Sequence, residues 1–254
     1  LSNLLSTSSC QLDFVRCGGL DDLMNLVSSK LTNSAAGSLK AIARNIAISL
    51  RKLSFKLSSH CGLVDGLASL YVLMEAEDTA TATDAALVLK NLSANEEHKS
   101  ALAKNDATKR LIDLSRRTEV ETKRLAMASL CHLATPVIST TTATSRNERI
   151  LKDHLIDRNC PLVPAIQCIT TPDQELHRIV ASLFSQLSEY CRRGYPSTAK
   201  KLVANGIVPA LISLSRGRKG GEEDEETQRH CSQSLVNLCS VTEDEKDDVR
   251  FTIY

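Results

Sequence analysis

Apolar residues recur along this chain with the spacing of amphipathic helices, and they fall into five similar segments. Each segment ends on two large apolar residues three positions apart, which share one face of a helix. The second residue of the pair recurs after 39, 41, 54 and 51 residues. The pairs are Leu50 and Leu53, Leu89 and Leu92, Leu130 and Leu133, Phe184 and Leu187, and Leu235 and Leu238. A period of about 40 residues with insertions predicts a helical repeat protein, in which stacked units share one continuous core.

A second recurring segment precedes each pair and predicts a sharp corner between two helices. It reads CGGLDDLMNLV at 17–27, CGLVDGLASLYVL at 61–73, NDATKRLIDLS at 105–115, NCPLVPAIQCI at 159–169 and NGIVPALISLS at 205–215. Glycine suits a corner residue with positive φ, and we place such corners at Gly18, Gly19, Gly62 and Gly206. Pro164 and Pro209 are predicted in the first turn of the next helix, where a missing N–H costs nothing. The unit is therefore a short helix, a corner, a medium helix, a loop and a long helix.

This order of helices and corners resembles the armadillo repeat family. The match is fullest in the last repeat, AKKLVANGIVPALISL followed by QRHCSQSLVNLCS, and it extends over residues 11–240. The resemblance implies an all-α fold, a right-handed armadillo-type α-solenoid with a superhelix of about five three-helix repeats, forming a single domain over 1–254. The predicted repeats span 11–54, 55–94, 95–135, 147–190 and 195–240, with the start of a further repeat at 243–254. HEAT repeats are the structural alternative, but their two-helix unit lacks the separate short helix and the glycine corner.

Composition narrows the classes of function. A net charge of +1 gives no global argument for nucleic acid or anionic membranes, and no apolar run reaches the length of a membrane span. The nine cysteines include no C-x-x-C pair, so we expect reduced thiols in a reducing compartment, the cytoplasm, with the nucleus or a cilium or cytoskeleton as alternatives. Both ends of the chain fall inside helical patterns, so we expect a fragment of a longer protein.

Sequence motifs for catalysis and cofactor binding are missing from the chain. It contains no G-x-S-x-G, H-E-x-x-H, P-loop or G-x-G-x-x-G motif, and its six histidines are scattered through the repeats. We predict a protein that is not an enzyme and has no catalytic residues, cofactor or metal site.

Two sets of equivalent positions on the long third helices are candidates for partner contact. The resemblance implies that these helices line a concave groove, where the residue before the second Leu is typically Asn, whose amide can bind the backbone of an extended peptide. That position, the polar ladder, holds Lys52, Asn91, His132, Gln186 and Asn237. Eight residues earlier, the arginine ladder holds Arg44, Thr83, Arg124, Arg178 and Arg229. These arginines either bind carboxylates or phosphates of a partner or form salt bridges between repeats.

The residue four positions before each polar-ladder position helps to identify the class of partner. Nuclear import adaptors, which are similar to this chain, carry Trp there, whereas this chain has Ile48, Leu87, Ala128, Ser182 and Gln233. The resemblance therefore favours catenin-like proteins, and a scaffold or adaptor that binds an extended acidic or phosphorylated protein segment. One alternative is a structural subunit of a large cytoskeletal or ciliary assembly, packed on neighbouring subunits through its convex face and the loops 136–149 and 215–227. Another is a transport or degradation adaptor with an additional effector domain.

Overall fold

The computed structural model describes residues 5, 7–30, 37–56, 59–135, 155–156, 160–192, 195–216 and 224–240. This part of the chain forms fourteen α-helices and no β-strand. The helices are α1 (Ser8–Arg16), α2 (Gly19–Lys30), α3 (Gly37–Ser54), α4 (His60–Asp65), α5 (Leu67–Met74), α6 (Thr79–Ser93), α7 (Glu96–Lys104), α8 (Ala107–Ser115), α9 (Val120–Ala134), α10 (Leu162–Cys168), α11 (Gln174–Arg192), α12 (Pro196–Ala204), α13 (Ile207–Ser215) and α14 (Glu225–Cys239).

The helices form two compact units, a first unit over Leu1–Asn105 and a second unit over Asp106–Tyr254. In the first unit, α3 packs along α6, α2 packs on α5, and α5 and α7 pack on α6. In the second unit, α11 packs on both α9 and α14, while α8 packs on α9 and α13 packs on α14. Within each unit, the long third helices of consecutive repeats therefore lie side by side. The boundary falls inside the predicted third repeat, between α7 and α8, although the sequence pattern suggests one domain.

The predicted apolar pairs form the core, which confirms the repeat pattern. Nine of the ten side chains in these pairs are buried, and Leu235 is half-buried. Ala47, Ala86 and Ala181 are completely buried one to two turns before the pairs, where small side chains let neighbouring helices approach closely. The core is thus built from aliphatic side chains on the third helices, and Phe184 is its one aromatic residue among the pairs.

Two of the corners lie where the glycine pattern predicts them. Gly18 has φ of 77° and Gly206 has φ of 88°, a backbone conformation that favours glycine. A third corner, between α7 and α8, uses Asp106 with φ of 60°, which a short polar side chain tolerates better than most. Pro164 and Pro209 lie in the first turns of α10 and α13, as predicted.

The corner predicted at Gly62 is wrong. Gly62 lies inside α4, and the break between α4 and α5 comes at Gly66, without a positive φ. Gly62 is instead a site of close packing, since a Cβ there would lie 2.8 Å from Leu20 Cδ2. Gly19 is likewise the first residue of α2, one position after the corner itself.

Several sequence predictions fall on residues outside those that the structure describes. They concern the loop 136–149, most of the loop 215–227, most of the first helix of the fourth repeat and the further repeat at 243–254. Among the described helices, none combines the length and the apolar character that crossing a bilayer requires.

Candidate protein-binding surface on the third helices

The polar ladder lies on the C-terminal halves of the third helices. Its members are Lys52 on α3, Asn91 on α6, His132 on α9, Gln186 on α11 and Asn237 on α14. The first four side chains are half-buried, whereas Asn237 is 1% exposed. Because neighbouring third helices lie side by side within a unit, the structure places Lys52 and Asn91 on adjacent helices, and His132 and Gln186 likewise. Partner contact by the ladder stays a prediction.

Both asparagines of the ladder connect consecutive repeats. Asn91 Nδ2 donates to Ser54 Oγ at 2.8 Å, and Asn237 Nδ2 donates to Ser188 Oγ at 3.1 Å. Each serine directly follows the apolar pair of the preceding repeat, so the two hydrogen bonds are equivalent. Asn237 also accepts a hydrogen bond from Gln233 Nε2 at 2.9 Å. The Asn237 amide therefore serves the packing of α14 on α11, while Asn91 keeps an accessible side chain.

Arg124 of the arginine ladder forms a two-point ion pair with the next repeat. Its Nε donates to Asp173 Oδ1 at 2.9 Å, and its Nη2 donates to Asp173 Oδ2 at 2.5 Å. Arg124 Nη1 also contacts Glu121 at 3.4 Å. The hydrogen bond from Arg124 is the main reason that the pKa of Asp173 is lowered. Asp173 immediately precedes α11 and accepts a hydrogen bond from Leu176 N at 2.7 Å, so it also caps that helix.

Arg178 repeats this arrangement one repeat later. Its Nε lies 3.4 Å from Asp224 Oδ2 and 3.0 Å from Glu226 Oε2, and its Nη1 donates to Glu175 at 2.7 Å. Asp224 immediately precedes α14 and accepts a hydrogen bond from Thr227 Oγ1 at 2.5 Å. The pKa of Asp224 is lowered, first by the Thr227 hydroxyl and then by Arg178.

Arg44 makes the corresponding contacts in the first unit. It forms an ion pair with Asp84 on α6, and its Nη1 donates to Ala80 O at 2.8 Å. Asp84 is 7% exposed in its side chain and also lies 3.2 Å from Arg51 Nη1. A buried carboxylate of this kind needs paired cations, and α3 supplies two.

The arginine ladder therefore forms salt bridges between repeats at three of its four arginines, one of the two roles considered from the sequence. Arg229, on the last third helix described, is exposed. The partners of Arg124 and Arg178 have a signal in the sequence, whereas Asp84, the partner of Arg44 inside α6, does not follow it. The signal is an acidic residue five positions before each ladder position from the second repeat onward. These residues are Asp78, Glu119, Asp173 and Asp224, each immediately before its third helix.

Comparison with known proteins settles the fold. No protein-family model matches the chain, and no curated protein matches its sequence. A designed armadillo repeat protein in complex with the peptide (KR)4 is similar with a TM-score of 0.67 at 15% identity, over 93% of this chain and 89% of that one. A structure of computationally designed armadillo repeat proteins for modular peptide recognition gives a TM-score of 0.68 at 16% identity, over 92% and 88%. The fold is that of an armadillo repeat α-solenoid.

The armadillo third helices carry no aromatic residue at the positions one turn before the polar ladder. Ile48, Leu87, Ala128 and Ser182 are half-buried there, and Gln233 is exposed. Side chains of this size offer no ring face to a cation. Among the described residues, no group of three or more His, Cys, Asp and Glu side chains is placed to hold a metal ion.

Proposed function

We propose that this armadillo protein is a non-catalytic scaffold that binds an extended polypeptide along its third helices. The supporting observation is the row of half-buried polar side chains on adjacent third helices, Lys52 and Asn91 in the first unit and His132 and Gln186 in the second. Such side chains hydrogen-bond a peptide backbone without reading its sequence. The two designed armadillo structures, one bound to a peptide and one designed for peptide recognition, agree with this use of the fold.

We further propose that the bound segment is acidic or phosphorylated. Arg124 and Arg178 keep about a third of their side-chain surface exposed, 35% and 34%, while they pair with their internal carboxylates. A guanidinium has five N–H donors, so a partner carboxylate or phosphate can share it with the internal acid. Because the internal acids weaken the positive field, we expect this preference to be modest and to decrease with added salt.

Selection from a random peptide display library tests the scaffold proposal. Selected peptides would be titrated against the native chain, the ladder variant His132→Ala/Gln186→Ala and a control variant Lys109→Ala/Gln167→Ala, which changes two exposed residues on second helices. We expect the ladder variant to bind about tenfold more weakly, the loss of one or two hydrogen bonds, and the control to bind normally. Circular dichroism would show that both variants stay folded. Equal losses in the two variants would contradict binding on the third helices.

The same selection tests the sign of the charge on the bound segment. Enrichment of Asp, Glu or phosphorylated residues would support the acidic preference. Peptides that are rich in Lys and Arg and contain no acidic or phosphorylated residue would contradict it while leaving the scaffold intact. A reducing compartment such as the cytoplasm is a further proposal, supported by nine cysteines without a disulfide.

A structural subunit of a larger assembly is the second candidate. Three second helices each expose a large aliphatic side chain, Leu26 on α2, Val163 on α10 and Ile212 on α13. These side chains suit packing on a neighbouring subunit. Library peptides that lose affinity for a Val163→Ser/Ile212→Ser variant, and not for the ladder variant, would favour this candidate.

A further inference from the structure

A cleft of about 680 Å³ lies in the first unit, outside the arginine ladder. It opens between the start of α4, the end of α6 and the start of α7. The side chains that matter for its chemistry are His60, Asn91, Asn95, Glu96, Glu97 and His98. Among these residues, Asn91 alone belongs to the polar ladder, so the cleft adds a distinct set of polar groups beside Asn91.

His60 forms the buried wall of the cleft and has an unused ring nitrogen. The side chain is 4% exposed, and its Nε2 lies 2.8 Å from Ser54 O. A carbonyl oxygen only accepts, so Nε2 donates to it, and in the tautomer with its proton on Nε2 the other ring nitrogen, Nδ1, is an acceptor. Nδ1 is buried and has no hydrogen-bond partner among the described residues. A buried acceptor without a donor is unfavourable, so a donor from a ligand would stabilise this wall.

Asn91 presents a second acceptor to the cleft. Its Nδ2 donates to Ser54 Oγ at 2.8 Å, and Ser54 Oγ in turn donates to Arg51 O at 2.7 Å. This chain of hydrogen bonds fixes the amide so that Oδ1 is the remaining polar atom. Asn95, the cap of α7, likewise uses its Oδ1 as an acceptor, from Glu97 N at 3.1 Å.

The rim of the cleft is negatively charged. Glu96 and Glu97 are exposed, and neither forms an ion pair within the described part of the chain. The rings of His60 and His98 lie 5.6 Å apart at 55°, so they form an aromatic wall. Burial, and then the neighbouring His60, lower the pKa of His98, which keeps this ring uncharged at neutral pH. Acceptors, carboxylates and imidazole rings together match a cation that carries several N–H donors.

We propose that this cleft binds the guanidinium group of an arginine side chain from a partner polypeptide. A guanidinium presents five N–H donors in a plane, so it can donate to several of the acceptors and carboxylates that line the cleft, and it stacks on aromatic rings. The compact ammonium of lysine has three donors and makes fewer of these contacts. The proposal rests on the proposed protein-binding function, and it places a basic residue of the partner beside the segment held by the third helices.

Short host peptides of Gly and Ser that carry one arginine, one lysine or one citrulline test the proposal on the whole chain. Citrulline keeps the shape of arginine but lacks its charge. Histidine ring NMR signals would be followed during titration, after assignment with His60→Gln and His98→Gln variants. We expect the arginine peptide to shift the His60 and His98 signals, the lysine peptide to bind more weakly and the citrulline peptide to leave the signals unchanged. Equal binding of arginine with either other peptide would overturn the guanidinium assignment.

Matched charge variants locate the binding. Glu96→Gln/Glu97→Gln removes two carboxylates from the first turn of α7, and Asp21→Asn/Asp22→Asn removes two exposed carboxylates from the first turn of α2. We expect about tenfold weaker arginine binding in the α7 variant and unchanged binding in the α2 variant. Equal effects would show unspecific charge attraction and overturn the site. The His132 and Gln186 variant tests the third helices separately, so the failure of one proposal is distinguishable from the failure of the other.

Discussion

Asp173 combines two structural roles in a single carboxylate. It caps α11 through Leu176 N and binds Arg124 of the preceding repeat at two points. The start of one third helix is thereby fixed to the first half of the previous one. Asp224 occupies the same position before α14 and pairs with Arg178.

Substitutions of Asp173 separate these two roles. Asn still caps a helix but carries no charge, so we expect Asp173→Asn to lower the free energy of unfolding by about 1 kcal/mol. Asp173→Ala loses the cap as well and should cost about 2 kcal/mol. Asp113→Asn, which removes an exposed ion pair with Arg116, should cost less than about 0.5 kcal/mol. Urea unfolding of the three variants measures these differences, and equal values for Asp173→Asn and Asp113→Asn would contradict the role of the ion pair.

The lowered pKa of Asp173 also predicts a pH dependence. Because the pKa is lower in the folded state, the stabilisation is fully present above the unfolded value of about 4 and is lost as the pH falls through the folded value. In the same urea titrations, the native chain should therefore lose more stability below about pH 4 than Asp173→Asn does.

At the scale of helices, the corners show that different residue types can adopt the same backbone conformation, a positive φ. Gly206 and Asp106 both have positive φ between a first and a second helix. Between α4 and α5, Gly66 makes the break without positive φ, so the equivalent corner differs in its geometry. A short first helix of six residues accompanies this different corner.

Removing glycine from one corner and introducing it at another should change stability in different ways. Gly206→Ala should lower the free energy of unfolding by about 1 kcal/mol, because alanine is strained at φ of 88°. The effect is one of backbone strain, since among the described residues a Cβ there would meet Ile166 Cδ1 alone, at an ordinary contact distance of 3.8 Å. Asp106→Gly relieves the same strain and should be neutral or slightly stabilising. Thermal unfolding followed by circular dichroism distinguishes the two, and a stabilised Gly206→Ala variant would be inconsistent with strain.

At the scale of the whole molecule, stability depends on contacts between consecutive repeats. No single repeat buries its own apolar face, so each third helix completes the core of its neighbour. The arginine ladder adds charged contacts between the same helices. The two compact units each contain at least two adjacent third helices, so each has inter-repeat contacts of this kind.

Leu92→Asp tests this shared core. Leu92 is completely buried on α6, so a carboxylate there would lie unpaired in an apolar interface, and we expect a loss of more than about 3 kcal/mol. Leu26→Asp, on the more exposed side of α2, is the control and should change stability little. An unchanged thermal melt for Leu92→Asp would refute the placement of Leu92 between repeats.

The sequence by itself determined the armadillo fold, the apolar pairs of the core and the corners at Gly18 and Gly206. These features repeat along the chain and depend on local periodicity and backbone preference, which a single sequence displays. It also supplied the polar ladder as a set of equivalent positions.

Only the tertiary structure decided what these positions contact. The pairing of Arg124 with Asp173, the burial of Asn237 and the helical position of Gly62 depend on residues that are distant in sequence and adjacent in space. The cleft at His60 depends on the same kind of proximity, since three helices from two consecutive repeats supply its walls. Hydrogen bonds and ion pairs require distances of about 3 Å, and a repeat pattern does not fix the chain to that precision.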